Sequence, residues 1–412
     1  MLALYPSNKL EHLSYLLATL LKQRPSEVFE PQTILVESPG MQHWLNMALA
    51  RDRGVAMNLH YPLPVRFMWD TARRILGEDR VPRQSPYRRE VLVWRIDGII
   101  QSEAFCGHSV SEPVCRYWQN IGDETQASLQ RLEFSTALAD VYEQYLLYRP
   151  EWIFAWENNE LVTQNQQDEA WQAFIWRELV KQNPDHPAKL HAETIERLAN
   201  DSSAHSLPDN IVVFAINTMA PQLVDFLDAL SQHADIHLFH LNPSVNYWGD
   251  VKSNKEQAKM LRSEGISQWL DAAQDNPFLG NLGQQGRDLF NLLTPLHSYE
   301  IAAFDIEPPQ ETPQGVQLLH AIQQDILHAQ APDKQFTHHP DDNSVTVVSA
   351  HTPLREVEAL HDHLLRLLSS HARDDLKPAD IVVMCPAIEN YAPFIDAVFQ
   401  RVGTPVEESS DT

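Results

Sequence analysis

The chain has 412 residues, which at roughly 100 to 200 residues per domain predicts more than one domain. Hydrophobic residues at 43% and charged residues at 21% argue against wholesale disorder and coiled coil, and no apolar run approaches the roughly 20 residues that cross a bilayer. The formal net charge of −25 argues against a protein that coats nucleic acid nonspecifically, because phosphate contacts need clustered cations. The sum hides an asymmetry. Residues 1–100 hold 13 Lys+Arg against 10 Asp+Glu, and the remainder 18 against 46, so a phosphate-facing surface is expected near the N-terminus. The acidic remainder suits solubility or a basic protein partner. The first residues, Met1-Leu-Ala-Leu-Tyr-Pro6, lack the basic patch and long apolar core of a signal peptide. Cys106, Cys115 and Cys385 are too few for a disulfide scaffold and match no zinc spacing. A soluble cytoplasmic protein, without membrane contact, is the expectation.

In chain order, Leu2–Tyr5 reads as a strand and Asn8–Gln23 as a helix with Leu10, Leu13, Leu17, Leu20 and Leu21 on one stripe. Thr33–Val36 reads as a buried strand, Glu37–Gly40 as its exit turn, and Met41–Ala50 as a helix with Trp44, Leu45 and Ala48 at helical spacing. Two such units predict an α/β fold with a parallel sheet. From Pro62 to about Phe154 the pattern is helical, with a long helix over Thr125–Tyr148 that stops at Arg149-Pro150. A further helix carries Trp171, Phe174, Ile175 and Leu179. Strands return at Asn210–Phe214 and Asp235–Phe239 around a helix over Ala220–Leu230. Residues 250–340 read as helices with long loops, with linkers at Pro309–Gly315 and Pro332–Asn343. Ser344–Val348 and Ile381–Met384 read as strands, with helices over Leu354–Leu368 and after Pro393, and a frayed tail over Val406–Thr412. The domains expected are an α/β domain from 1–60 and 205–330, a helical insertion over 61–204, and the start of a second α/β domain over 344–405.

Catalytic motifs are sparse. The first strand–loop–helix, Tyr5-Pro-Ser-Asn-Lys9, has no glycine to let backbone N–H groups wrap a phosphate. Gly280-Asn-Leu-Gly283-Gln-Gln-Gly286 follows no strand and reads as a flexible turn. His233, His237 and His240 have ligand-like spacing, but residues three apart on a strand face opposite sides. His338-His339 sits in a linker. Asp250-Val-Lys252 and Asp375-Leu-Lys377 lack the further carboxylates that a metal nuclease needs. No Gly-x-Ser-x-Gly elbow is present. Catalytic and metal-ligating residues are therefore expected to be none.

A binding surface is the stronger reading. Trp44, Leu63, Trp69 and Arg73-Arg74 mix aromatics with cations, the composition that stacks unpaired bases. The same tryptophans would also serve in a core. Asp140, Glu143 and Gln144 share one helix face at i, i+3, i+4 and end near Arg149. Carboxylates accept from base amino groups, and arginine is bidentate to guanine or phosphate. A solvated helix face would show the same spacing.

At these residues the chain resembles the RecC family, the exodeoxyribonuclease V gamma chains of bacterial RecBCD complexes. The matching stretches are Leu4-Tyr-Pro-Ser-Asn-Lys-Leu10, Ile34-Leu-Val36 with Ser38-Pro-Gly-Met-Gln-His-Trp-Leu45, and Tyr61-Pro-Leu-Pro64 with Phe67-Met-Trp69. Further along they are Glu143–Trp152, Asn246–Asp250, Leu282–Asp288 and Arg355–Asp362. They cover nearly the whole chain, as the N-terminal portion of a longer one. The resemblance implies a superfamily-one helicase-like architecture whose ATPase motifs are lost. It implies a subunit inactive as an enzyme, needing no cofactor of its own while partner subunits use ATP and Mg²⁺. The implied partners are RecB-like and RecD-like subunits in a heterotrimer, double-stranded DNA ends, and the 3′-terminated single strand, which is scanned for Chi. The implied DNA-binding residues are Leu63, Trp69, Asp140, Glu143, Gln144, Arg149, His43 and Glu37. The departures are specific. Glu37 and His43 stand where the family has glutamine, and Pro39 where it has threonine. Glu143 is one methylene longer than the family's residue, and Val141 is smaller than its leucine. A glutamate cannot donate as an amide does, so these changes bear on which octamer is read. Two other readings compete: an active nuclease or ATPase, and an interaction scaffold that never touches DNA.

Overall fold

The computed structural model describes residues 1–23, 31–119, 121–200, 207–263, 275–306, 315–332, 339–369 and 376–400. It divides into two compact units, Met1–Gln310 with His320–Phe336, and Glu311–Leu319 with Thr337–Thr412.

The first unit is built on a parallel sheet. The strand β1 (Leu2–Ser7) leads into α1 (Leu10–Gln23), β2 (Gln32–Leu35) into α2 (Pro39–Arg53), and the short β3 (Leu59–His60) into α3 (Pro64–Leu76). A run of helices follows: α4 (Arg89–Ile100), α5 (Glu103–Cys106), α6 (Glu112–Gln119), α7 (Glu124–Tyr148), α8 (Pro150–Glu157), α9 (Gln166–Gln182) and α10 (Pro187–Asn200). The chain then returns through β4 (Asn210–Phe214), α11 (Pro221–Leu230) and β5 (Asp235–Leu241). Helices α12 (Asn254–Ser263), α13 (Pro277–Leu282) and α14 (Gln284–Leu293) precede β6 (Tyr299–Glu300) and α15 (Leu318–Leu327). The strand order is β3-β2-β4-β5-β1-β6, parallel throughout. The two late strands β4 and β5 lie between β2 and β1, so β1 and β2 each depend on a partner more than 170 residues away.

Both faces of this sheet are covered, as a parallel sheet requires. Ala3, Tyr5, Ile34, Val212, Phe214 and Phe239 pack on one side with Leu13, Leu17, Leu45 and Leu49 of α1 and α2. Leu2, Leu4, Leu35, Ile211, Val213 and Leu238 pack on the other with Phe67, Phe226 and Leu289. The helices between β3 and β4 have their own core, including Leu92, Ile96, Leu138, Tyr142, Trp156 and Trp176. In the first turn of α9, whose preceding residues are exposed, Glu169 is buried, 3% exposed. Its carboxylate accepts from the Trp156 indole, the N–H of Val162 and Thr163, and the Thr163 hydroxyl, each at 2.7 Å. One acid thus fastens the α8–α9 connection to the helical core.

Several elements depart from the sequence reading. Pro39-Gly40, expected in an exit turn, are the first residues of α2: Ser38 caps it through Met41 N–H, and Pro39 fills a position whose N–H would be unpaired anyway. The short strands β3 and β6 have no periodicity to announce them, at two residues each. The Gly280–Gly286 segment is helical rather than a flexible turn. A Cβ on Gly283 would stand 2.9 Å from the Trp248 ring and would clash with the Leu279 carbonyl, so these glycines allow close helix packing on Trp248.

In the second unit, α16 (Pro353–Ser369) and α17 (Ile388–Phe399) pack on each other through the His361 and Phe399 rings and the Tyr391–Glu356 hydrogen bond. Pro393 lies inside α17 instead of before its start. Ser344–Val348 and Ile381–Met384, expected as strands, form no ladder among the described residues; Val347 is 92% exposed and Met384 87%. Parallel strands need neighbours at their edges and cover on both faces, and neither is present in the described part of this unit. Asp375, His338 and the Val406–Thr412 tail lie outside the described residues, as does most of the expected Pro309–Gly315 linker.

Candidate nucleic-acid interface

Open parallel sheets bind ligands beyond the carboxyl ends of their strands. At the end of β1 that space is filled from within. Ser7 donates its hydroxyl to Ala303 O, Asn8 exchanges two hydrogen bonds with the Asp305 backbone, and Lys9 pairs with the Asp305 carboxylate. The acid therefore occupies the cation that a phosphate would need.

The neighbouring end of the sheet is more open. Glu37 follows β2 and is exposed, as is His43 on α2, while Leu63 follows β3 and is 50% exposed. These three sit at the carboxyl edge of two adjacent strands because β2 and β3 pair in parallel. Trp44, one residue beyond His43, turns inward and lies 6.4 Å from the Phe214 ring, so it belongs to the core rather than to a stacking surface.

Helix α3 carries the chain from Leu63 towards the helical core. Its Trp69 is half-buried and donates its indole N–H to Pro82 O at 2.9 Å. Arg73 holds the same loop through Val81 O and Glu78, which assigns it a structural part rather than the contact role expected for the Arg73-Arg74 pair. Arg80 of that loop is clamped by Asp185 and Glu193 before and within α10. Trp69 lines a cavity of about 60 Å³ together with Val65 and Met68 of α3, Leu146 and Leu147 of α7, and His191 of α10. The walls are mainly apolar. Burial pushes His191 down to about 4, so the imidazole is neutral at neutral pH. Gln222 of α11 also lines it and donates to Leu146 O at 2.7 Å, satisfying a carbonyl of the last turn of α7.

Along the last three turns of α7, Asp140 is half-buried while Glu143 and Gln144 are exposed. Arg149 ends the helix, exposed, with Nη1 donating to Tyr148 O at 3.1 Å. The structure thus has Trp69 line one cavity with Leu146 and Leu147, near the end of the helix that carries Asp140, Glu143, Gln144 and Arg149. Asp140, Glu143, Gln144 and Arg149 are not among the residues lining the cavity. Glu37, His43 and Leu63 form a separate group at the sheet edge. The sequence reading missed Gln222 and His191, which come from elements far along the chain. It also missed Arg89, whose Nε lies 2.6 Å from Asp140 Oδ1; the Arg88-Arg89 dipeptide in the basic N-terminal block was the available signal.

Elsewhere, His237 is buried with Nδ1 3.0 Å from the Tyr5 hydroxyl, and His240 is buried on the opposite face, its imidazole pushed down to about 4 by burial. Among the described residues no group of three or more His, Cys, Asp and Glu is placed to hold a metal ion, and no helix is long and apolar enough to cross a membrane.

The fold and this site define an α/β protein with a parallel sheet, a large helical insertion between β3 and β4, and an aromatic-edged cavity lined by α3, α7, α10 and α11. Residues 2–329 match the family model described as RecC, N-terminal domain, and the chain belongs to the RecC family. It is 34% identical to the RecBCD enzyme subunit RecC of Escherichia coli (strain K12), over 97% of this chain and 38% of that protein. It is 32% identical to the RecC subunit of Haemophilus influenzae, over 97% and 39%, and 28% identical to that of Mycolicibacterium smegmatis, over 97% and 34%. The chain therefore spans well under half the length of these relatives.

Proposed function

We propose that this chain is a non-catalytic DNA-recognition part of a RecBCD-type helicase–nuclease that processes double-strand ends for recombinational repair. The observation that carries the reading is that Trp69 lines one cavity with Leu146 and Leu147, on the stretch of α7 whose exposed neighbours along the chain are Glu143, Gln144 and Arg149. Aromatic faces stack bases of any kind, while carboxylate, amide and guanidinium groups discriminate among base edges. The 3′-terminated strand passes this cleft and the sheet edge at Glu37, His43 and Leu63, and is scanned there for Chi.

The fold is helicase-like, of the superfamily-one type, with residues 1–60 and 205–330 as one α/β domain and 61–204 as its insertion. Residues 344–405 open a second α/β domain, and the exposed Val347 and Met384 are the kind of apolar surface that further strands and helices cover. The Asp305–Lys9 pair supports loss of the nucleotide site, since a phosphate there would have to displace an internal carboxylate. ATP and Mg²⁺ are used by RecB-like and RecD-like partners, in the cytoplasm.

Photo-crosslinking of a 5-iodouracil-substituted single strand tests the reading. Label is expected on α3 and the end of α7. Label confined to other surfaces, or sustained phosphate release or Mg²⁺-dependent cleavage by the pure chain, would favour the enzyme or scaffold alternatives.

A further inference from the structure

Asp140 is not a bare carboxylate. Arg89, the first residue of α4, reaches across to it, with Nε 2.6 Å from Oδ1 and side chains 51% and 38% exposed. The pairing follows from the core beneath: Leu92 and Ile96 of α4 pack in one cluster with Leu138 and Tyr142 of α7. Arg88 is engaged locally by Glu90, so Arg89 is the member of the dipeptide turned to α7. A carboxylate offers about four acceptor sites, and one oxygen of this one faces the Arg89 guanidinium as an ion pair. An unneutralised carboxylate would repel the phosphates of any strand that came close enough to present a base to it. A guanidinium in contact removes much of that repulsion and restricts the carboxylate's rotation.

We propose that Arg89 is a positioning residue for base reading: it holds the Asp140 carboxylate with acceptor sites open to the exocyclic amino group of cytosine. This rests on the single-strand reading above. Thymine presents a carbonyl where cytosine presents N4–H₂, so the pair is expected to favour cytosine.

The test uses the 412-residue chain with fluorescein-labelled oligo(dC) and oligo(dT) of equal length, in a double-mutant cycle. Arg89→Ala is expected to reduce the dC-over-dT preference roughly tenfold, the scale of one lost base contact. Asp140→Asn should do the same, and the double variant should be no worse than Asp140→Asn alone. Arg89→Lys, which keeps the charge but loses the fork, should restore part of the preference. Arg89→Gln serves as a second variant if the alanine change lowers the melting temperature. Equal loss on both probes, persisting in the Asp140→Asn background, would make Arg89 a phosphate contact and overturn the proposal. A wild-type chain that binds neither probe, or an Asp140→Asn variant without effect, would instead remove the base-reading function beneath it.

Discussion

The end of β1 and the cleft beside α7 offer opposite answers to one physical problem, how a fold disposes of charge and aromatic surface near a possible ligand. At β1 the fold closes on itself: Lys9 is paired with Asp305, and Ser7 and Asn8 spend their hydrogen bonds on residues 303–305. At α7 Glu143, Gln144 and Arg149 stay exposed, and an aromatic edge borders the nearby cavity. Where internal partners satisfy each polar group, a ligand gains little by displacing them. Where they stay in water, a ligand with matching donors and a flat ring gains both hydrogen bonds and stacking.

The largest expected effect breaks the cleft through its scaffold. Glu169→Ala would take the acceptor from four donors, the buried Trp156 indole and the groups of Val162 and Thr163 nearer the surface. The unpaired buried indole costs about 1 to 3 kcal/mol and the lost charge-assisted bonds nearer the surface add to it, so a loss of about 3 kcal/mol is expected in urea denaturation. The same residue gives a pH dependence. Burial would raise its carboxyl, but the hydrogen bonds from Val162, Trp156 and Thr163 outweigh that and hold it below the ordinary range. The folded value is depressed, so its stabilisation is present above the unfolded value of about 4.3 and disappears as pH falls through the folded one. Urea midpoints that stay flat through that acid window would contradict it.

Next in size, Trp69→Ala should weaken single-strand binding by about 1 to 3 kcal/mol, the worth of one stacked base. Equilibrium titration reads this, and unchanged affinity would place the strand elsewhere. The smallest effect belongs to the closed end. Lys9 is a half-exposed partner, so Lys9→Ala should change stability by no more than about 1 kcal/mol and leave single-strand binding and phosphate release unaltered. Phosphate release that collapses in this variant would show that the β1 end is not closed in function.

Much of the architecture was legible because it is periodic. Leu13 and Leu17 on α1, the apolar runs of β1, β2, β4 and β5, and the length of α7 all follow from residue spacing and end signals, with Asp123 capping the start of α7 and Pro150 following its end. The candidate site was legible as residue types, and the family resemblance picked out which of them to test. Trp44 and Trp69 were not separable in sequence, since both are tryptophans on amphipathic helices; one packs beside Phe214 and the other edges the cavity.

The sequence by itself determined that a parallel sheet with covering helices forms, because side-chain period and turn chemistry act over a few residues. Only the tertiary structure decided that Asp305 closes on Lys9, that Gln222 finishes α7, and that Arg89 meets Asp140. Those contacts join residues 51 to 296 positions apart, and their geometry is set by how buried helix and sheet faces pack, which local periodicity does not encode.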